Sequence, residues 1–395
     1  MNRIPLQSLA TKTAARLTRS ARGWIVSLTL LGPTFLLADS SWVYFGNAVM
    51  APGAAIYVAP FDAETGIIGQ PVPAAPAWNP VFLAVAPNHR FLYAISGKLE
   101  GSKVPVGHLK AYRIDKTTGA LSLVNDLPTG GPEPTHILVD PTGHSLLLAN
   151  YLGGYVEVYS ILEDGSVGKR TAIDRHIGSG PNAERQEGPH AHSVNIDPSG
   201  RYAIVDDLGV DKIFVYRFDG PRGSLEPNDP PSVAVKPGSG PRHFAFHPSG
   251  RFAYAVTELA STVIAFRWDA DRGVLDPLQT VSLLPPGFSG VSTAAEIAVD
   301  RSGRHLYASN RGDDSIVVFL IDQETGLLSF VQRMGAGIKV PRSFAIDPTG
   351  KWLVCANLAS DSACVFRIDS ESGRLTPTGQ SVKVPKPICV QFLER

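Results

Sequence analysis

Residues 187–207 read EGPHAHSVNIDPSGRYAIVDD. The second half of this stretch is two apolar runs around DPSGR. Asp stands first, Pro second and Gly fourth, which is the chemistry of a tight turn. The same punctuation returns as APNHR at 86, DPTGH at 140, HPSGR at 247, DRSGR at 300 and DPTGK at 347. Each copy is preceded by an alternating apolar run and followed by another, such as FLYAIS, SLLLANY, FAYAVTE, HLYASNR and WLVCANL. The histidines of the opening stretch, His190 and His192, do not recur in this way.

A second signal has the same period. IYVAPFDAETGII, LKAYRIDKTTGAL, VEVYSILEDGSV, IFVYRFDGPRGSL, VIAFRWDADRGVL, IVVFLIDQETGLL and ACVFRIDSESGRL each read as strand, Asp/Gly turn, strand. Their glycines, from Gly66 to Gly373, recur about every 51 residues. Four short strands per unit of this length is the pattern of a propeller blade. The expected fold is therefore all-β, a seven-bladed β-propeller. The unit that would be incomplete is split between the ends. WVYFGN (42–47) matches the strand after the DPTG-type turn, and PICVQFLER (387–395) matches the strand before it. The N- and C-terminal strands should pair and close the ring, hiding the edges that a linear array exposes.

Composition agrees with this and excludes other classes. The chain has 395 residues, 44% of them hydrophobic, with 36 basic and 36 acidic side chains. A zero net charge offers no footprint for nucleic acid or an anionic membrane. The three cysteines, Cys355, Cys364 and Cys389, form no CxxC motif and read as buried apolar thiols. Residues 1–23 carry Arg3, Lys12, Arg16, Arg19 and Arg22 and no acid, and WIVSLTLLGPTFLLADSS follows at 24–41. A basic segment, an apolar stretch and a small-residue end are the layout of a secretory signal. The apolar stretch is too short, and too interrupted by proline, to be a membrane span. The expected domains are a leader over 1–41 and the propeller over 42–395, with a periplasmic or secreted location. The alternative is a cytoplasmic protein with a disordered leader.

In a propeller the first strand of each blade lines the central channel. Aligning these strands on the turn proline gives two columns. One holds Val81, Thr135, His192, Arg242, Ala295, Arg342 and Ile388. The next holds Phe82, His136, Ser193, His243, Glu296, Ser343 and Cys389. Alternation predicts that one column faces the channel and the other the blade interior. The second strands add Glu258 and the pair Asn310–Arg311. Histidines, arginines and carboxylates converging from different blades form a candidate site. Each also has a structural reading. His136 and His243 are suited to hydrogen bonds between blades, Arg311 to Asp313 or Asp314, Arg342 to a loop cap, and Glu296 to backbone N–H groups. For Glu258, at the channel end of a strand, the expectation is a raised pKa and acid or base work.

The motifs GPHAHS, GPRHFAFHPSGRFAY, TELASTV, AAEIAV and LYASNRGDDSI, in this order, resemble the seven-bladed-propeller lactonase family. That family includes the propeller-type 6-phosphogluconolactonase and is related to the fungal carboxymuconate lactonizing enzyme. The resemblance covers roughly 42–395. It implies a catalytic set of His192 (or His190), Arg242, Glu258 and Arg311. His190, His136, His243, Glu296, Asn310 and Arg342 are candidates for substrate binding. The segment HIGSGPNAERQEG (176–188) departs from the family pattern.

The activity implied is hydrolysis of a sugar-type lactone. Glu258 or His192 would activate water, and Arg242 and Arg311 would hold the oxyanion and an anionic group of the substrate. No cofactor or metal is called for: the chain lacks HExxH, an EF-hand loop and the GxSxG elbow. The alternatives are a cycloisomerase that closes a lactone with the same residues, and a non-catalytic propeller that binds a protein or cell-envelope partner.

Overall fold

The computed structural model describes residues 40–98 and 106–393. The leader expected over 1–41 lies outside these residues except for Ser40 and Ser41, which already belong to a strand. Seven antiparallel sheets make up the described chain. Among the described residues the only helix is the single turn Leu358–Ser360.

The innermost strands of blades 2 to 7 are Phe82–Val85, Pro134–Val139, Ala191–Ile196, Pro241–Phe246, Thr293–Val299 and Pro341–Ile346. Blade 1 takes its innermost strand from the other end of the chain. Pro387–Leu393 pairs antiparallel with Ser40–Asn47, in a register that sets Trp42 opposite Leu393 and Phe45 opposite Val390. Each innermost strand neighbours the next, through Pro387–Leu393 and back to Phe82–Val85, so the ring is closed.

The repeated turn is built by its aspartate. The Asp197 carboxylate accepts the backbone N–H groups of Ser199, Arg201 and Tyr202 at 3.2, 2.9 and 2.8 Å. Asp140 does the same in blade 3, and Asp347 accepts those of Thr349 and Trp352 in blade 7. A short carboxylate that satisfies donors left over by the turn explains why this position is so often Asp.

The core lies between blades. One cluster joins Phe61, Ala63 and Phe392 of blade 1 to Trp352, Val354 and Val365 of blade 7. Equivalent clusters occupy the other junctions. A buried tyrosine hydroxyl on one blade donates to the hairpin glycine carbonyl of the next in four places. These are Tyr44 to Gly119, Tyr93 to Gly165, Tyr254 to Gly326 and Tyr307 to Gly373, at 2.8 to 3.0 Å. At the closing junction Trp352 Nε1 donates to the Ala63 carbonyl at 2.8 Å. Cys355 and Cys364 face each other across the second and third strands of blade 7, and all three cysteines are buried and free.

Gly326 holds φ +73° with the Phe252 ring of the preceding blade 2.4 Å from where a Cβ would sit. Gly143 has a similar φ of +76° with open space around it. Gly326→Ala adds a ring clash to backbone strain and should lower unfolding free energy by about 2–4 kcal/mol. Gly143→Ala should cost only about 1 kcal/mol. Equal midpoints for the two variants in chemical denaturation would contradict this account of the blade junction.

Candidate active site

The innermost strands do not enter the channel with simple alternation. In six of the seven, the pairing with the second strand carries one extra residue near the strand's start. The extra residue is Thr135, His192, Arg242, Arg342 or Ile388, and in blade 6 it falls between Ala294 and Ile297. A β-bulge of this kind re-aims side chains and breaks the in–out order. Residues of both aligned columns therefore reach the channel. Val81, Thr135, His192, Arg242, Arg342 and Ile388 of the first column line one cavity of about 280 Å3, together with Phe82 and His243 of the second. The expectation that only one column would face the axis is corrected by the bulge.

Glu258 stands at the end of the second strand of blade 5, fixed by its backbone N–H bond to the Gly240 carbonyl. Three guanidiniums from three blades converge on it. Arg185 meets Oε1 at 2.6 Å, and Arg242 and Arg311 both meet Oε2 at 2.9 Å. Burial alone would raise this carboxyl, but Arg311, Arg242 and Arg185 outweigh burial and hold it at about 2. The expected raised pKa is corrected: Glu258 is a permanent carboxylate whose two oxygens are occupied, and it has no proton to give.

Arg242 belongs to both parts of the site. It is 2% exposed, lines the cavity, and donates from Nη1 to the Ala295 carbonyl at 2.6 Å. Burial, then Arg311 and Arg342, push its guanidinium below the ordinary value, while Glu258 pulls the other way. Arg342 also lines the cavity, and it makes no hydrogen bond or ion pair with any described residue. Arg311 does not line the cavity. Besides Glu258 it donates to the carbonyls of Thr293 and Ala294. Its expected local partners are taken by others, since Asp313 pairs with Arg333 and Asp314 with Lys339.

Arg185 was not singled out in the sequence, although the segment that delivers it was. That segment is pinned at both ends. His176 bonds Asp207 at 2.5 Å and the Tyr216 hydroxyl at 2.9 Å, and the fully buried Gln186 donates to the Leu208 carbonyl at 2.9 Å. Tyr151, also missed, presents its hydroxyl to Arg185 at 3.3 Å and stacks on His190 at 4.4 Å.

Three imidazoles from successive blades gather below the arginines. The His243 ring centroid lies 5.3 Å from that of His192 and 5.4 Å from that of His136. Burial, then neighbouring charge, depresses His136 and His192 well below the usual imidazole range. Burial and Arg242 depress His243, with Glu296 opposing them. His243 Nδ1 lies 2.7 Å from Glu296 Oε1. Glu296 and Phe82 line a second cavity of about 540 Å3 among the DPSG-type turns at the opposite end of the channel. The His243–Glu296 pair thus forms part of the partition between the two cavities.

Two expected binding residues are placed elsewhere. His190 bonds the Tyr151 carbonyl through Nδ1 at 3.0 Å and Glu187 through Nε2 at 3.1 Å, so both ring nitrogens hold loops. Asn310 is fully buried and donates to the Leu283 carbonyl at 2.9 Å. Asn47 and Asn357, at the same strand end in blades 1 and 7, make matching bonds to carbonyls. In both residues the side-chain nitrogens are spent on the rim, those of His190 on a backbone carbonyl and a loop acid and that of Asn310 on a backbone carbonyl.

Comparison with known proteins gives the family. The sequence model of the family described as "Lactonase, 7-bladed beta-propeller" matches residues 42–392. The 6-phosphogluconolactonase of Bacillus subtilis is 38% identical over 89% of this chain and 98% of its own length. The crystal structure of a putative 6-phosphogluconolactonase from Bacteroides fragilis superposes with a TM-score of 0.83 at 32% identity, covering 92% of this chain and 100% of its own. The periplasmic gluconolactonase of Pseudomonas aeruginosa gives 0.83 at 34% identity, over 90% and 99%. The chain therefore belongs to the seven-bladed β-propeller lactonase family.

Proposed function

We propose that this chain is a lactone hydrolase that opens a sugar-type lactone such as 6-phosphogluconolactone, in the cavity at the bulged ends of the innermost strands and without a metal ion. The observation that carries the reading is the pair of guanidiniums on the cavity wall, Arg242 held by Glu258 and Arg342 without an ion-pair partner among the described residues, beside neutral imidazoles. Ring opening needs a stabiliser for the oxyanion, an anchor for the substrate and a base for water. Arg242, immobilised in a buried ion pair, supplies fixed positive charge where the carbonyl oxygen becomes negative. Arg342 anchors the anionic group of the substrate. Glu258, with Arg185 and Arg311 behind it, keeps Arg242 in place and takes no part in proton transfer. His192 completes the wall as a neutral imidazole.

The sequence and one relative support export. Residues 1–41 have the layout of a secretory leader, and the Pseudomonas relative is a periplasmic enzyme. We therefore place the propeller in the periplasm or outside the cell. There an unphosphorylated sugar lactone stands beside the phosphorylated one as substrate.

Assays of purified propeller on both lactones test this. Arg242→Ala and Glu258→Gln should each lower kcat/KM by about two orders of magnitude while circular dichroism keeps its β signature. Arg342→Ala should raise KM for the phosphorylated lactone about tenfold with kcat little changed, and affect a neutral lactone less. Retention of full turnover by Arg242→Ala would exclude this site.

Proton linkage gives an independent check. The wall imidazoles have depressed pKa values in the fold, so they stay in the base form below pH 6.5. The acid limb of kcat/KM should therefore lie below the pH of about 6.5 at which an ordinary histidine titrates. The unfolded chain binds these protons near pH 6.5 while the fold does not. Stability should then fall as pH drops below about 6.5, which thermal melts at pH 8, 6.5 and 5 would read.

A further inference from the structure

A neutral imidazole acts as a base only through the nitrogen that lacks hydrogen, so the three histidines of the site are not equivalent. His136 Nδ1 accepts the backbone N–H of Val194 at 3.4 Å, which occupies its lone pair. His192 Nδ1 is buried and has no partner among the described residues. A proton there would be a buried unmet donor, so its hydrogen belongs on Nε2 and the ring offers a donor. His243 is different. Its Nδ1 lies 2.7 Å from Glu296 Oε1, in a setting where burial disfavours the carboxylate but the hydrogen bond from His243 and the charge of Arg242 keep Glu296 ionised. A carboxylate only accepts, so the hydrogen sits on Nδ1 and the lone pair on Nε2. The ring lines the same cavity as Arg242 and Arg342.

Glu296 has little other reason to be there. The equivalent positions in the other blades are Phe82, His136, Ser193, His243, Ser343 and Cys389, and an unpaired carboxylate at such a depth is costly. Its remaining bond is to the backbone N–H of Ile297 at 3.1 Å, and no arginine bonds it.

We infer that His243 is the general base of the hydrolysis and that Glu296 is its positioning residue, holding the tautomer and orientation that leave Nε2 free. The inference rests on the lactonase reading. His243 Nε2 takes a proton from water as the water oxygen bonds to the carbonyl carbon, and the carbonyl electron pair moves to its oxygen beside Arg242. The tetrahedral adduct then collapses. The bond from that carbon to the ring oxygen breaks, and the ring oxygen takes the proton back from Nε2. The products are a hydroxy acid and neutral His243, with the carboxyl proton lost to solvent at neutral pH. His192 donates from Nε2 to the same carbonyl oxygen. This assigns base and donor to two imidazoles that a sequence motif cannot tell apart.

The charged and titratable groups around His243 are Glu296, Arg242, Arg342, His136 and His192, and Glu296 is the one that raises its affinity for a proton. This gives a readout that a purely structural role would not move. His243→Ala should lower kcat by 10²–10⁴ with KM within about threefold, and added imidazole should restore part of it. Glu296→Gln keeps the shape, so it tests the pair even if His243→Ala folds poorly. It should lower kcat by about 10–100-fold and move the acid limb of kcat to lower pH, and Glu296→Asp should recover part of the loss. If Glu296→Gln and His243→Ala keep wild-type kcat and an unshifted pH profile while Arg242→Ala is inactive, the base assignment is overturned and the lactonase reading stands. If the wild-type propeller opens no lactone, both fall together.

Discussion

Each blade of this propeller shares its core with the next. The inner apolar faces pack across the junctions, and the tyrosine-to-glycine bonds tie one blade's second strand to the neighbouring hairpin. A four-stranded antiparallel sheet standing alone would expose both faces and its edge. Closure removes that cost only if the last blade meets the first, and here the pairing of Ser40–Asn47 with Pro387–Leu393 does so without a covalent link. The channel exists because the ring is closed. The starts of the innermost strands come within reach of one another only around that axis.

The site exploits a position where the scaffold already departs from regular pairing. A bulge at the start of an innermost strand adds one residue and leaves it outside the ladder. In blades 4, 5 and 7 that residue is His192, Arg242 or Arg342. The same device in blades 1 and 3 carries Ile388 and Thr135. The repeat thus provides several equivalent sockets and the sequence fills a few of them with functional chemistry. Electrostatics then dictate the roles. Three guanidiniums around Glu258 exceed its single charge, so the carboxylate stays ionised and the cluster keeps a net positive charge. Burial and neighbouring arginines keep the His192 and His243 imidazoles in the neutral form.

Several residues of the candidate site are legible in the sequence. His192, Arg242 and Arg342 stood in a column that a bland scaffold fills with small residues, and His243 and Glu296 stood in the next. What failed had particular causes. Strict alternation does not foresee a bulge, so one column was expected to turn inward. A raised pKa for Glu258 follows from burial alone, and the count of arginines around it depends on contacts across three blades. Asn310 and His190 are of suitable residue types, but their side-chain nitrogens are taken by rim carbonyls and a loop acid. Arg185 sat in a segment without periodicity, and nothing in the chain said where its side chain would end.

The sequence by itself determined the period, the number of blades, the join between the ends and the family, because turn chemistry and alternating apolar runs are local properties that recur at fixed spacing. Tertiary structure alone decided which polar side chains meet, which nitrogen of each imidazole is free, and whether a carboxylate keeps its proton. Those depend on distances between residues that are mostly more than 50 positions apart in the chain, and the energy of a buried charge is set by its neighbours rather than by its own identity.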